Sequence, residues 1–176
     1  LKPQRTSFIR ENDMEEADVR TFEILRLLDP PEGFKLWHGG PTVNGCLRGV
    51  DARQAAWRPG NNRSSIWMLA LHIAYWKYAV RRRILGLPQG SFPRKPSNFP
   101  AVPEFRTEDS WKKDRQLLKS EDRKLVEAVR QLTPDDLETT LPSGNRTADQ
   151  LFGIALHDAY HVAQIQLIKR LYSDRE

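Results

Sequence analysis

The sequence holds a single cysteine, Cys46, in 176 residues, so no internal disulfide can form. A disulfide-stapled scaffold is thereby excluded, and Cys46, set among small residues in "PTVNGCLRGV", is expected to pack rather than react. Long apolar runs are missing too: none approaches the roughly 20 residues that span a bilayer, and "LKPQRTSFIRENDMEEADVR" has no apolar signal-peptide core. A cytoplasmic location without a membrane partner is the expectation. Alternation with period two, the mark of a half-buried strand, is almost absent. Sheet folds drop out and an all-α class remains.

What is present describes a folded chain. Hydrophobic residues make up 39% and charged residues 29%, with five Trp, which suits one globular domain over residues 1–176. Residues 1–36 read as an N-terminal helical extension of that domain. The net charge of +5 would suit an acidic partner. The one dense basic run, Arg81, Arg82 and Arg83, falls at a predicted helix C-terminus, where cations complement the helix dipole and are expected to be solvated. No nucleic-acid recognition motif accompanies it, so nucleic acid is not the expected partner.

Apolar spacing and breakers lay out the helices. The first is predicted over about Glu15 to Leu28, stopped by "DPPEG". A weak second one follows "WHGGP" with Pro41 at its first position and runs to about Val50. Asp51 caps a further turn in "DARQAAW". A long helix over about Arg63 to Leu85 starts at Ser64 or Ser65 and ends at Gly86. The stretch "LPQGSFPRKPSNFPAVPEF" then reads as a long Pro-rich loop, either functional or draped over the core. A second long helix covers about Glu108 to Leu132, with Asp114, Glu121 and Asp122 flanking its apolar stripe and expected to be solvated. Thr133 caps one turn, and a last helix runs from Thr147, whose pairing with Gln150 matches a capping box, to about Tyr172. Three long helices and a shorter N-terminal part fit a four-helix bundle in which the Pro-rich link permits a crossover.

Two of the four histidines lie in "IALHDAYHVAQIQLIKRL". At 100° per residue, His157, Ile154, Ile165 and Ile168 all fall within about 40° of His161, so both imidazoles face the core. Their spacing of i, i+4 lets two ring nitrogens converge on one ion. The same wheel aligns His72 with Met68, Leu69, Trp76 and Ala79, nine residues into its helix, as His157 is ten into its own. A lone inward histidine is more often a core residue with one hydrogen bond than a ligand. Three in one apolar layer would be costly to bury, and a shared divalent ion with open positions removes that cost.

"SSIWMLALHIAYWKYAVRRRILG", the "NFP" of the Pro-rich loop and "LHDAYHVAQIQLIKR" together resemble the DinB/YfiT-like superfamily of metalloenzymes. The best marker is "HxxxHxGQI", matched here except that Ala163 replaces the glycine. The resemblance runs from about Trp37 to Leu171. It implies a four-helix bundle with unusual helix order and a divalent ion, zinc or nickel, held by His72, His157 and His161. It also implies transfer of a low-molecular-weight thiol to a small-molecule electrophile, since the superfamily includes thiol-dependent S-transferases and a mycothiol-dependent maleylpyruvate isomerase. Metal-assisted hydrolysis and a non-catalytic, stress-related metal-binding role are the alternatives, and fold does not choose among them.

Other residues carry weaker signals. Asp158 and Tyr75 lie about 60° from the ligand directions, where a residue either supports a ligand or sits at the core edge. His38, in "LWHGGP", reads as an exposed or capping residue. A second apolar stripe of Phe152, Leu156, Ala159, Ala163 and Leu167 lies opposite the histidines. It fits either a homodimer contact or packing under the Pro-rich loop.

Overall fold

Two of the long helices begin where a hydroxyl satisfies a free amide. In the computed structural model, which describes residues 16–31, 40–88 and 90–175, α4 (Ile66–Ile84) opens with the Ser65 side chain accepting from the Met68 N–H. Gly86, at φ +60°, follows its last turn in the left-handed region that glycine enters at least cost. Thr107 caps α5 (Glu108–Val129) and Thr133 caps the short α6 (Pro134–Glu138). Asp51 accepts from the Gln54 N–H at 2.7 Å to start α3 (Ala52–Ala56), as its sequence suggests. α1 (Glu16–Leu28) and α7 (Thr147–Ser173) complete the long elements, and α2 (Val43–Cys46) is one turn.

Two starts differ from expectation. Thr42, not Pro41, begins α2, because its hydroxyl accepts from the Gly45 N–H, and the helix ends at Cys46 rather than running to Val50. Two glycines in so short a stretch leave little to propagate it. For α7 the cap is one residue earlier than the Thr147–Gln150 pattern predicts. Arg146 holds the cap position, and the Asp149 carboxylate accepts from its backbone N–H at 3.2 Å and from its guanidinium. An ion-paired cap displaced a hydroxyl one.

The four-helix bundle is built from α1, α4, α5 and α7. α4 packs against both α5 and α7, and α1 touches the same two helices from the other side. That order places α4 diagonally across from α1, and the Pro-rich loop carries the chain from α4 to α5. No strand occurs among the described residues, only one isolated bridge between Thr140 and Arg146. No described helix is long and apolar enough to cross a membrane.

The core has two apolar sections, one around Trp67, Trp111, Leu71 and Ile165 and one around Ile24, Leu125, Leu151 and Ile154. Between and beside them lie ionised groups that periodicity placed outside. Asp114, Glu121 and Asp122 are not solvated: the first two are buried and the third is half-buried. Asp114 accepts from Trp67 Nε1 at 2.8 Å and pairs with Arg94. Glu121 pairs with Lys124 and with Arg81, which is therefore drawn into the bundle and not left in solvent. Asp122 pairs with Lys77. Each acid had a cation or an indole N–H waiting on another element, and a paired carboxylate can be buried where a lone one cannot.

The second stripe of α7 is open. Phe152, Leu156 and Leu167 are exposed, as are Tyr160 and Leu171 on the same side, and Ala163, while Ala159 is half-buried. The Pro-rich loop lies elsewhere, against α4, where Phe92 meets the Tyr75 and Tyr78 rings.

Candidate metal centre

The helical wheel predicts that His72, His157 and His161 share one level of the core, and the structure brings them together. His157 Nε2 lies 3.1 Å from His72 Nε2 and 3.1 Å from His161 Nε2. One ring nitrogen from each falls within 4.8 Å of the others, an arrangement that can hold a metal ion. α4 supplies one imidazole and α7 the other two, from consecutive turns. His72 and His161 are buried, and His157 is half-buried.

Two rings are held from behind. His72 Nδ1–H donates to the Asn98 carbonyl at 2.5 Å, and His161 Nδ1–H donates to Gln164 Oε1 at 2.7 Å. A proton fixed on Nδ1 leaves the Nε2 lone pair free, the tautomer that a metal ligand needs. The Asn98 residue sits at φ +70°, a region where asparagine is among the few side chains at ease. Its own amide oxygen accepts from Trp76 Nε1 at 2.9 Å, and Phe99 stacks on the His72 ring at 3.9 Å with a 14° tilt. The "NFP" tripeptide is thus the part of the Pro-rich loop that clamps the first histidine.

The donor set suits a divalent cation. With Nδ1 protonated on His72 and His161, two lone pairs point at the 3.1 Å neighbourhood of His157 Nε2. A proton on His157 Nε2 can serve only one of them, so without a cation one nitrogen lone pair is left with no donor. Nitrogens 3.1 Å apart are close enough to be bonded together by one ion at ~2.05 Å, so the three histidines would fit such a cation. His157 Nδ1 is buried with no hydrogen-bond partner among the described residues. Two of the three rings are therefore oriented by hydrogen bonds and the third by packing, with Trp76 edge-on at 6.1 Å.

The electrostatics agree. Burial pushes all three imidazoles below their ordinary value, and His157 goes to about 3 because the other two imidazoles and Lys77 add to the effect. Neutral rings are the ligand form. Asp158 does not support a histidine. It is buried and pairs with Lys77 Nζ at 2.5 Å, while Lys77 also meets Asp122 at 2.7 Å. Burial alone would lower the Lys77 ammonium, but the two carboxylates overturn it and hold it above its ordinary value. Tyr75 is half-buried and packs edge-on against Trp76 and Phe92, away from the ring nitrogens. Cys46 is buried, its thiol pushed up to about 12 chiefly by that burial, which matches the packing role expected of it. His38 lies outside the described residues.

Asn98 and Gln164 lie in the segments that carry the resemblance, but neither was assigned a role at the histidines, and Lys77 was not singled out. Gln164 had a local signal, since i, i+3 on a helix places it beside His161. Lys77 had one too, as a lone cation inside the apolar run of α4. Nothing local to Asn98 says which imidazole its loop will reach.

A helical bundle with a tri-histidine cluster between two of its long helices is the class that fold and site define. The family model described as the DinB superfamily matches residues 42–165, and the chain belongs to that superfamily. No curated protein and no solved structure matches it.

Proposed function

We propose that His72, His157 and His161 bind a divalent ion, zinc or nickel, and that the protein is a metal-dependent transferase using a low-molecular-weight thiol. The observation that carries the metal is the convergence of three Nε2 atoms with two Nδ1 protons already committed to Asn98 and Gln164. Bound there, such an ion supplies Lewis acidity and lowers the pKa of a thiol or water that reaches its open positions. The residues of the chain keep the ligand nitrogens unprotonated and exclude water behind them. In the transfer itself the thiol loses its proton, a sulfur–carbon bond forms to the electrophile, and that carbon's leaving group departs or its neighbouring atom takes the proton. Metal-assisted hydrolysis is the second reading, with water in place of the thiol.

The test has two stages. Metal content of protein produced in zinc- and nickel-supplemented medium is expected near one ion per chain, and His72→Ala is expected to lose it while keeping the helical circular-dichroism spectrum. Unfolding of that variant would mark the ion as structural, and absence of metal in the parent protein would end the reading. Loaded protein screened with thiol and electrophile pairs then separates transferase from hydrolase.

The chain's partner in this reading is a second copy. Phe152, Leu156, Tyr160, Ala163, Leu167 and Leu171 recur on α7 at the steps of four and three that a helix–helix seam uses, and all are exposed. A seam presented by one helix meets its own copy about a two-fold axis without needing a second surface.

A further inference from the structure

Beside the loop that clamps His72 lies a groove of about 570 Å³ with no acidic residue in its lining. It opens between the C-terminal half of α4 and the start of the Pro-rich loop, and its cations are Arg82, Arg83, Arg94 and Lys95. Arg94 is neutralised, for its Nε and Nη2 reach Asp114 Oδ1 at 3.0 and 2.8 Å. The other three are not. Arg82 lies over the Tyr78 ring and, among the described residues, donates to the Leu87 carbonyl alone, at 3.3 Å. Arg83 lies over Trp76 and, among the described residues, donates to the Gln150 amide alone. Neither meets a carboxylate among the described residues, and the Lys95 ammonium meets no acceptor there.

Several other cations of the fold are neutralised by acids. Glu121 draws in Arg81 and Lys124, Asp122 and Asp158 share Lys77, and Glu138 takes both Arg20 and Arg146. In the groove three positive charges share one concave space walled by Tyr75, Tyr78 and Phe92, and such walls concentrate the field on whatever enters. The loop also fixes one of them closely: a Cβ on Gly90 would fall 2.5 Å from Arg82 Nη1 and 2.8 Å from the Tyr78 hydroxyl. A side chain at this position would require the end of the Arg82 side chain to shift. Guanidinium groups match carboxylate and phosphate oxygens with paired N–H donors.

We propose that this groove binds a small molecule carrying carboxylate or phosphate groups, through Arg82, Arg83 and Lys95, with the aromatic walls covering its less polar part. Its location says what that molecule is for. Tyr75 is one turn beyond His72 on α4, and Ser97, which lines the groove, directly precedes Asn98. From Tyr75 to Arg83 the groove follows α4 for about 12 Å at 1.5 Å per residue, the length of an extended di-acid or a phosphorylated small metabolite. The groove holds the charged end of a substrate or cosubstrate of the histidine centre. That last assignment rests on the metal reading, whereas anion binding itself does not.

The two are separated by titrating the metal-free full chain with citrate and with inorganic phosphate by calorimetry at low salt. Saturable one-site binding of either anion is expected, and which one binds more tightly distinguishes the carboxylate from the phosphate class. The double variant Arg82→Gln/Lys95→Gln is expected to weaken binding at least ~10-fold, as loss of two charge-assisted contacts should. Arg53→Gln/Lys113→Gln removes the same charge from other exposed positions and is expected to change it less than ~2-fold. Equal weakening by both variants, no saturation by either anion, or tighter binding of a short single-stranded oligonucleotide would overturn the proposal. Because the protein in these titrations carries no metal, failure of the metal reading leaves the outcome intact.

Discussion

The backbone carbonyl of Asn98, in the Pro-rich loop, takes the Nδ1 proton of His72, on α4, at 2.5 Å. A loop residue thereby decides which nitrogen of a core histidine faces its two partners. The carbonyl reaches that point because Asn98 adopts φ +70° and anchors its side chain on Trp76. Asn98→Ala removes the anchor and places a Cβ in the left-handed region, at a cost of about 1 kcal/mol or more. Metal affinity, measured by competition with a chromophoric chelator, is expected to fall ~10- to 100-fold, in line with the loss of an outer-shell contact. Asn98→Gly keeps the backbone conformation without strain and is expected to lose clearly less. Equal losses in the two variants would show that backbone conformation at this position is not what holds His72.

Gln164 does for His161 what Asn98 does for His72, at 2.7 Å and from three residues along the same helix. Gln164→Ala leaves that Nδ1 proton without its acceptor and is expected to weaken metal binding by a similar ~10- to 100-fold. Gln164→Glu offers a stronger acceptor in the same place and is expected to match or exceed the parent. Gln164→Leu, which keeps most of the bulk but offers no oxygen, is expected to lose as much as Gln164→Ala, and that outcome separates orientation from mere packing.

How far this site could be read beforehand follows from how local each contact is. Helix periodicity fixes direction within one element, so the inward aim of His72, His157 and His161 was legible, and so were the caps at Ser65, Asp51 and Thr133. Asp114, Glu121 and Asp122 were misplaced because their partners come from elsewhere in the chain: Trp67 and Arg94, Arg81, and Lys77. Periodicity sees a charge beside an apolar stripe and assigns it to solvent. It does not see the cation that will meet it. Asn98 was illegible for a related reason, as the path of a Pro-rich loop is set by what it lands on.

The histidines also predict an acid sensitivity for the metal-free protein. All three have folded-state values depressed below the ordinary value, His157 to about 3, chiefly by burial. Groups depressed in the fold bind protons sooner when unfolded, so their contribution to stability is complete above about pH 6.5 and is lost as pH falls toward the folded values. The melting temperature of the metal-free chain is expected to drop between about pH 6.5 and 4.5, before most carboxylates titrate. His157→Gln should flatten that slope. A slope unchanged by the variant would place the titrating groups elsewhere.

Lys77 joins two carboxylates inside the bundle. Its ammonium is fully buried between Asp158 and Asp122, at 2.5 and 2.7 Å. Lys77→Met leaves the Asp158 carboxylate buried without a counter-charge, and breaking a buried pair on one side typically costs about 3–5 kcal/mol. For a chain of this length that is a melting temperature lower by roughly 10 °C. Lys77→Met/Asp158→Asn removes the stranded charge and is expected to recover part of the loss, which thermal unfolding of the two variants will show.

The open stripe of α7 remains to be covered. Leu156 is 72% exposed, Tyr160 62% and Leu167 51%, on one line of one helix. Burying such side chains contributes about 1.5–3 kcal/mol each when complete, enough for several copies of the contact to hold two chains together. Light scattering after gel filtration is expected to give twice the chain mass. Leu156→Glu/Leu167→Glu places four carboxylates in a two-fold seam, where like charges repel and desolvation is costly, and is expected to give the monomer mass with the helical content unchanged. A parent protein that is already monomeric across micromolar concentrations would leave this face without its second copy.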